Sequence, residues 1–194
     1  ARGKRNEVCA INSPDFWDPN GSDAVVTVYS AEQLRDIGDI SPFKVGYADF
    51  SKATKLQRIK AGDASPIYSN PNMTELYVGN NKLLQILDVR NCPNLKATVN
   101  LSACSGLEEA YFDGTAVTGI QLPNGGSLRK LHLPATITNL EVLNHASLTE
   151  VEIAGYDNLK TIRVENSPLV PTHEIITKIP EGSRVRLLGI DWTV

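Results

Sequence analysis

The sequence predicts a β-rich solenoid, a right-handed coil of short parallel strands closed by short capping helices. Apolar residues recur in one fixed frame with a period of about 20–23 residues, split into half-periods of about 11. A cluster of turn-forming residues follows nearly every copy of that frame. Composition agrees: the 194 residues are 41% apolar and 21% charged, as in an ordinary folded protein. A rod of this kind needs no single central core, because each coil packs only on its neighbours.

The frame itself is explicit. Leu84, Leu87 and Val89 are followed at equivalent positions by Leu107, Ala110 and Phe112, then Leu128, Leu131 and Leu133, then Leu148, Val151 and Ile153, at spacings of 23, 21 and 20 residues. An offset set runs between them through Met73, Leu76 and Val78, then Val117, Ile120 and Leu122, then Ile137, Leu140 and Val142, then Leu159, Ile162 and Val164. Around Leu95 the phase slips, and Ala97, Val99 and Leu101 alternate instead; Leu56, Ile59 and Ala61 add one earlier copy. The last two positions of each copy lie two apart, which is strand periodicity with one face buried. The segments "GNN" at 79, "RNCPN" at 90, "DGT" at 113, "PNGG" at 123, "GYDN" at 155 and "ENSP" at 165 supply residues that tolerate positive φ or accept local hydrogen bonds. A helix has no room for a turn every eleven residues. Two faces are the favoured expectation for the half-repeats, with the copies at 84, 107, 128 and 148 on one and those at 95, 117, 137 and 159 on the other; the alternative is that some of them join a single sheet.

Pattern L-x-x-L-x-L-x-x-N/C-x-L is that of leucine-rich repeats, and "LLQILDVRNCPNL" matches it at Leu84, Leu87, Val89, Cys92 and Leu95. In this frame the Asn or Cys points inward from a corner, where Asn satisfies backbone groups of the next coil and Cys fills the same small space. Each inward aliphatic residue contributes roughly 1.5–3 kcal/mol when buried.

Three regions follow. Residues 1–54 form an N-terminal segment and cap, with a strand over 24–30 and a short helix over 31–37 that Ser30 and Gln33 start as a capping box and Gly38 ends. Residues 55–168 are the leucine-rich-repeat-like solenoid. Residues 169–194 are the C-terminal cap, with a helix over 171–179 opened by Pro171 and a final strand over 184–188. Trp192 is expected as a lid on the last coil.

Chemical motifs are absent from the sequence: no GxSxG, phosphate-binding GKS/GKT loop, HExxH or GxGxxG occurs. Cys9, Cys92 and Cys104 make no complete disulfide framework, and His132, His145 and His173 are too scattered for an HxxxH metal site. Cys92 is expected buried and inert, because burial disfavours the thiolate. A cofactor is not expected. Asp15, Asp18, Asn20 and Asp23 are weak calcium candidates, since their oxygens lack EF-hand spacing. The triplets "NGS" at 20 and "NMT" at 72 read as turns. With 19 basic against 22 acidic residues, the chain lacks the basic surplus of a nucleic-acid binder. No apolar run approaches the roughly 20 residues of a spanning helix. The basic start "ARGKR", without Met, is expected where a chain was excised or processed from something longer, the alternative being a basic arm that reaches for an anionic partner. Candidate interaction residues are the outward positions beside the apolar frame: Asp88, Arg90, Tyr111, Asp113, Lys130, His132, Glu150 and Glu152 on one face, with Arg163 and Glu165 on the other.

The stretches "YSAEQLRDIGDIS", "LQRIKAGDASPIYSN", "LYVGNNKLLQILDVRNCPNL", "GLEEAYFDGTAVTGIQLPNGGSLRKLHLPATITNL" and "RVRLLGIDW" together resemble the leucine-rich-repeat region of large structural proteins of tailed bacteriophages and prophages of gut anaerobes. The likeness spans roughly residues 25 to 192. It implies a non-enzymatic module of a virion, on the tail or another exposed part, that assembles with other virion proteins or contacts a host-surface protein or glycan. Neither nucleic acid nor membrane insertion is expected, and oligomeric assembly is compatible with it. The repeats are similar as well to those of bacterial surface adhesins, which implies a cell-surface ectodomain instead; an accessory binding domain of a larger enzyme is the third expectation.

Overall fold

The computed structural model of the chain describes residues 8–12, 25–30, 35–40, 45–65, 69–167, 170, 172–187 and 190–193. Its strands, in chain order, are β1 (Val8–Asn12), β2 (Val25–Ser30), β3 (Asp36–Asp39), β4 (Tyr47–Asp49), β5 (Arg58–Lys60), β6 (Glu75–Tyr77), β7 (Ile86–Asp88), β8 (Lys96–Asn100), β9 (Glu109–Tyr111), β10 (Ala116–Gln121), β11 (Lys130–Leu133), β12 (Asn139–Leu143), β13 (Glu150–Ile153) and β14 (Thr161–Glu165). A helix α1 (Thr172–Lys178) and strands β15 (Arg184–Leu187) and β16 (Ile190–Thr193) complete it.

Alternate strands stack into opposite sheets, as the half-period requires. One sheet has the order β3-β5-β7-β9-β11-β13, with every described pairing parallel. Facing it, β8-β10-β12-β14-β15 run parallel, and β16 pairs antiparallel with β15. A third sheet, β1-β2-β4-β6, precedes the second, with β6 against β8. Hydrogen bonding is interrupted between β6 and β8, which coincides with the phase slip at Leu95. The coil is thus a parallel-strand β-solenoid.

Register explains the core. Ile59, Leu87, Ala110, Leu131 and Val151 are successive partners on the first face, and all but the half-buried Val151 are fully buried. Val117, Ile120, Leu140, Ile162 and Val164 fill the opposite inner face. Positive φ occurs where turn chemistry demands it, at Gly79 (70°), Asn91 (54°), Gly114 (67°) and Asn166 (48°). Gly79 has a further reason, because a Cβ there would lie 2.6 Å from the Ser51 Cα.

Corners carry a second, polar stack. Asn81 Nδ2 donates to the carbonyls of Ala53 (3.2 Å) and Leu56 (2.8 Å), and Asn70 Nδ2 to that of Val45 (3.1 Å). Ser167 and Ser183 donate in the same sense to Val142 and Leu159. Cys92 and Cys104 occupy equivalent places as buried free thiols, with sulfur 3.6 Å from the Ala61 carbonyl and 4.0 Å from that of Gly79. Burial pushes the Cys104 thiol pKa upward. His145 is the outlier of the series: fully buried, its Nε2 lies 2.9 Å from the Pro123 carbonyl, and its Nδ1 has no partner among the described residues.

The caps depart from expectation in part. Asp36 and Ile37, expected in a helix over 31–37, belong instead to β3, where the backbone gains ladder bonds to β5 that a short isolated helix cannot match; residues 31–34 lie outside the described residues. Strands over 24–30 and 184–188 are found as β2 and β15. Antiparallel β1 and β16, absent from the sequence reading, pair with β2 and β15, and Trp192 sits in β16 opposite Val185. Helix α1 corresponds to the helix expected over 171–179, and Ile175 and Ile179 are buried in the core. The calcium candidates Asp15, Asp18, Asn20 and Asp23 lie outside the described residues. Asn72 is a turn residue whose amide donates to Asn70 Oδ1.

Leu131→Ala is expected to cost about 2–5 kcal/mol, the usual range for a buried Leu truncation, and Leu131→Asp to unfold the rod by burying an unpaired charge. Circular dichroism and thermal melting check both; an Asp variant that melts like the parent overturns the inward frame. A separate expectation concerns acid. The buried His145 imidazole is held below its ordinary pKa chiefly by desolvation, so the unfolded chain takes up a proton that the folded chain resists. Stability therefore falls as pH drops through the ordinary imidazole value of about 6.5, before carboxylates titrate. Denaturant unfolding between pH 7.5 and 5 should show a shallower decline in His145→Gln, whose amide can still donate to Pro123.

Candidate functional site

The outward residues of β7, β9, β11 and β13 come together as one column, because parallel register makes them neighbours. Asp88 pairs with Tyr111, Tyr111 with His132, and His132 with Glu152 along successive rungs. Arg90, just beyond β7, folds back on Asp88: its Nη2 lies 2.6 Å from Oδ2 and its Nε 3.0 Å from Oδ1, while its backbone amide also donates to Oδ1 (3.1 Å). The guanidinium then lies over the Tyr111 ring at 4.5 Å, and Tyr111 meets the His132 ring edge-on at 4.9 Å. Such cation–π and aromatic contacts hold side chains in one arrangement.

All eight sequence candidates lie in this column, but not all are exposed. Asp88 and Tyr111 are buried, at 5% and 9% exposure, and the His132 side chain is only 11% exposed. Strand alternation points them outward, and Arg90, folded back on Asp88 and over the Tyr111 ring, covers the first two, while Tyr111 meets the His132 ring. Available surface belongs instead to Asp113, Lys130, Glu150 and above all Glu152, whose side chain is 63% exposed.

His132 is the centre of the acidic half. Its Nε2 lies 2.7 Å from Glu150 Oε1, and its Nδ1 lies 3.1 Å from Asp113 Oδ2 and 3.5 Å from Glu152 Oε2. Lys130 Nζ is 3.6 Å from the other Glu150 oxygen. The hydrogen bond to His132, aided by Lys130, holds the Glu150 carboxyl below its ordinary pKa. Burial, then the bond that Tyr111 donates to Glu109 (2.7 Å), pushes the phenol upward, whereas the Arg90 guanidinium is raised by its hydrogen bond to the Asp88 carboxylate, against the effect of burial. Ion pairs and hydrogen bonds thus tie the charges of the column to one another.

Sequence reading missed Glu109, the acceptor for Tyr111, and the pair Arg129–Glu108 at 2.7 Å. Glu109 was legible in principle, since it occupies the same outward rung as Lys130 and Glu150. On the opposite face, Arg163 and Glu165 are paired at 3.0 Å and extended by Glu141 and Arg186. Arg163 and Glu141 border a groove of about 500 Å³ that Thr98, Gly119, Gln121, Asn139 and Thr161 also line.

Scans against protein-family models, curated proteins and solved structures give no match. Among the described residues, no helix is long and apolar enough to cross a membrane.

Asp88→Ala leaves Arg90 without its bidentate acceptor in a half-covered site and is expected to cost about 1–3 kcal/mol, the usual penalty for orphaning such a group. Chemical denaturation checks the loss. Removing Arg90 as well should recover part of it, so fully additive effects in a double-mutant cycle would refute the coupling.

Proposed function

We propose that the chain is a non-catalytic recognition module, a rod that presents its charged column to a partner protein. The carrying observation is the continuity of that column: eight side chains from four successive coils are linked by ion pairs and ring contacts, all but the largely exposed Glu152 held closely before any partner arrives. Preorganised surfaces lose little conformational entropy on binding, and Arg and Tyr are the residue types enriched at interface centres. The phage-like stretches named above support a place on a virion, where such a rod would join other virion proteins or touch the host surface.

A glycan-binding surface adhesin is the second reading, and the opposite face favours it. The groove around Gly119 offers neutral hydroxyls and amides. Exposed Tyr77 packs on Tyr47 at 5.7 Å in the sheet that continues beside β8, and supplies an aromatic platform of the kind sugars stack on.

Immunogold electron microscopy of the source culture with antibodies to the chain separates the locations: label on phage particles supports the virion, and label on cell envelopes the adhesin. Charge reversal at Lys130→Glu or Glu152→Arg should weaken capture of the partner at least tenfold, or about 1.4 kcal/mol, as read by surface plasmon resonance on the labelled particles or cells. Unchanged capture in both, with loss in Gly119→Val, overturns the protein-binding column in favour of the groove.

A further inference from the structure

We propose that Asp113, His132 and Glu152 form a binding site for a divalent transition-metal ion of the zinc type, with Glu150 as the outer-shell acceptor that orients the imidazole. The three residues come from three consecutive coils, and their donor atoms lie within 4.8 Å of one another. His132 Nδ1 is 3.1 Å from Asp113 Oδ2 and 3.5 Å from Glu152 Oε2. With metal–ligand bonds of about 2.0–2.2 Å, the edges of a tetrahedral coordination shell are about 3.3–3.6 Å, so both separations need only small adjustment. Glu152 is largely exposed and can rotate to close the remaining distance to Asp113.

Imidazole chemistry points the same way. A neutral ring carries one N–H; with that proton on Nε2, 2.7 Å from Glu150, Nδ1 offers its lone pair on the side where Asp113 and Glu152 bring their carboxylates, an arrangement that a metal ion between them satisfies. The motif of a carboxylate, a histidine and a metal in line is how proteins set the tautomer of a ligating imidazole. Tyr111, edge-on at 4.9 Å, fixes the ring plane from the other side. Charge fits as well: Asp113, Glu150 and Glu152 bring three negative charges, Lys130 returns one, and the remaining two match a divalent ion. Arg90 and Arg129 do not cancel them, being engaged by Asp88 and by Glu108 and Glu109. A nitrogen in the set favours zinc and its neighbours over calcium or magnesium, which prefer oxygen alone. Three protein ligands leave a tetrahedral ion one position for water or for a group from a second molecule. This site stands without the partner reading above, since its test measures metal alone.

Isothermal titration of chelator-stripped protein with zinc chloride at pH 7.5 should give one saturable site, accompanied by a rise in melting temperature. Asp113→Asn and Glu152→Gln, both at exposed or half-exposed positions, should fold normally by circular dichroism and weaken zinc at least tenfold, while Arg163→Ala on the opposite face should leave it unchanged. Substoichiometric manganese should broaden the His132 ring resonances in NMR before those of His145 and His173. Absence of saturable zinc binding, affinity unaltered in both carboxylate variants, or broadening centred on another histidine overturns the site.

Discussion

Each coil of this chain rests on the one before through parallel backbone hydrogen bonds, at the strand separation of about 4.8 Å. That one constraint converts residues some 20 apart in sequence into neighbours in space. It makes the core a set of columns rather than a centre, so that Ile59, Leu87, Ala110 and Leu131 bury one another in file. It also makes any outward position part of a column, whether or not the sequence marks it as special. A contact in such a rod is nearest-neighbour only, and its stability is close to a sum over coils and the interfaces between them.

Corner residues show how the same constraint handles polarity. A turn at every half-coil leaves carbonyls that no ladder satisfies, and burying them unpaired is costly. Asn70, Asn81, Ser167 and Ser183 answer with side-chain donors that reach back a whole coil. Cysteine does the same work weakly, because a thiol is a poor donor, and its value in the slot is size. His145 answers with one nitrogen, and the other has no partner among the described residues.

Periodicity made the inward frame legible, since Leu84, Leu107, Leu128 and Leu148 announce themselves by spacing alone. The Cys92 corner followed from that frame and is buried where it was expected. Features without a repeat were hidden: β1 and β16 pair antiparallel at the ends, and nothing in their local sequence names their partners. The capping box at Ser30 and Gln33 is a local signal, and it lost at Asp36 and Ile37 to a non-local one, the ladder with β5. Burial of Asp88 and Tyr111 was equally out of reach, because it depends on Arg90 folding back across its own strand. The cluster at His132 could not be found as a motif, since Asp113 and Glu152 stand 19 and 20 residues away, spacings set by the coil rather than by a ligand loop.

The column is not uniform, and its asymmetry limits what can meet it. Toward β7 the charges are internally balanced: Asp88 is spent on Arg90, and Arg90 on Asp88 and the Tyr111 face. Toward β13 carboxylates outnumber the one ammonium beside them, and these are also the exposed members. A partner contacting this face therefore gains little from the buried half, whose groups would have to abandon good bonds. It gains from the acidic half, where surplus negative charge is still in water. Whatever settles there, a metal ion or a lysine or arginine from another protein, has to bring positive charge. The proposed recognition and the proposed cation binding thus draw on the same few oxygens, and occupancy by a tightly held ion would lower the attraction for a basic partner while giving an acidic one a new point of attachment.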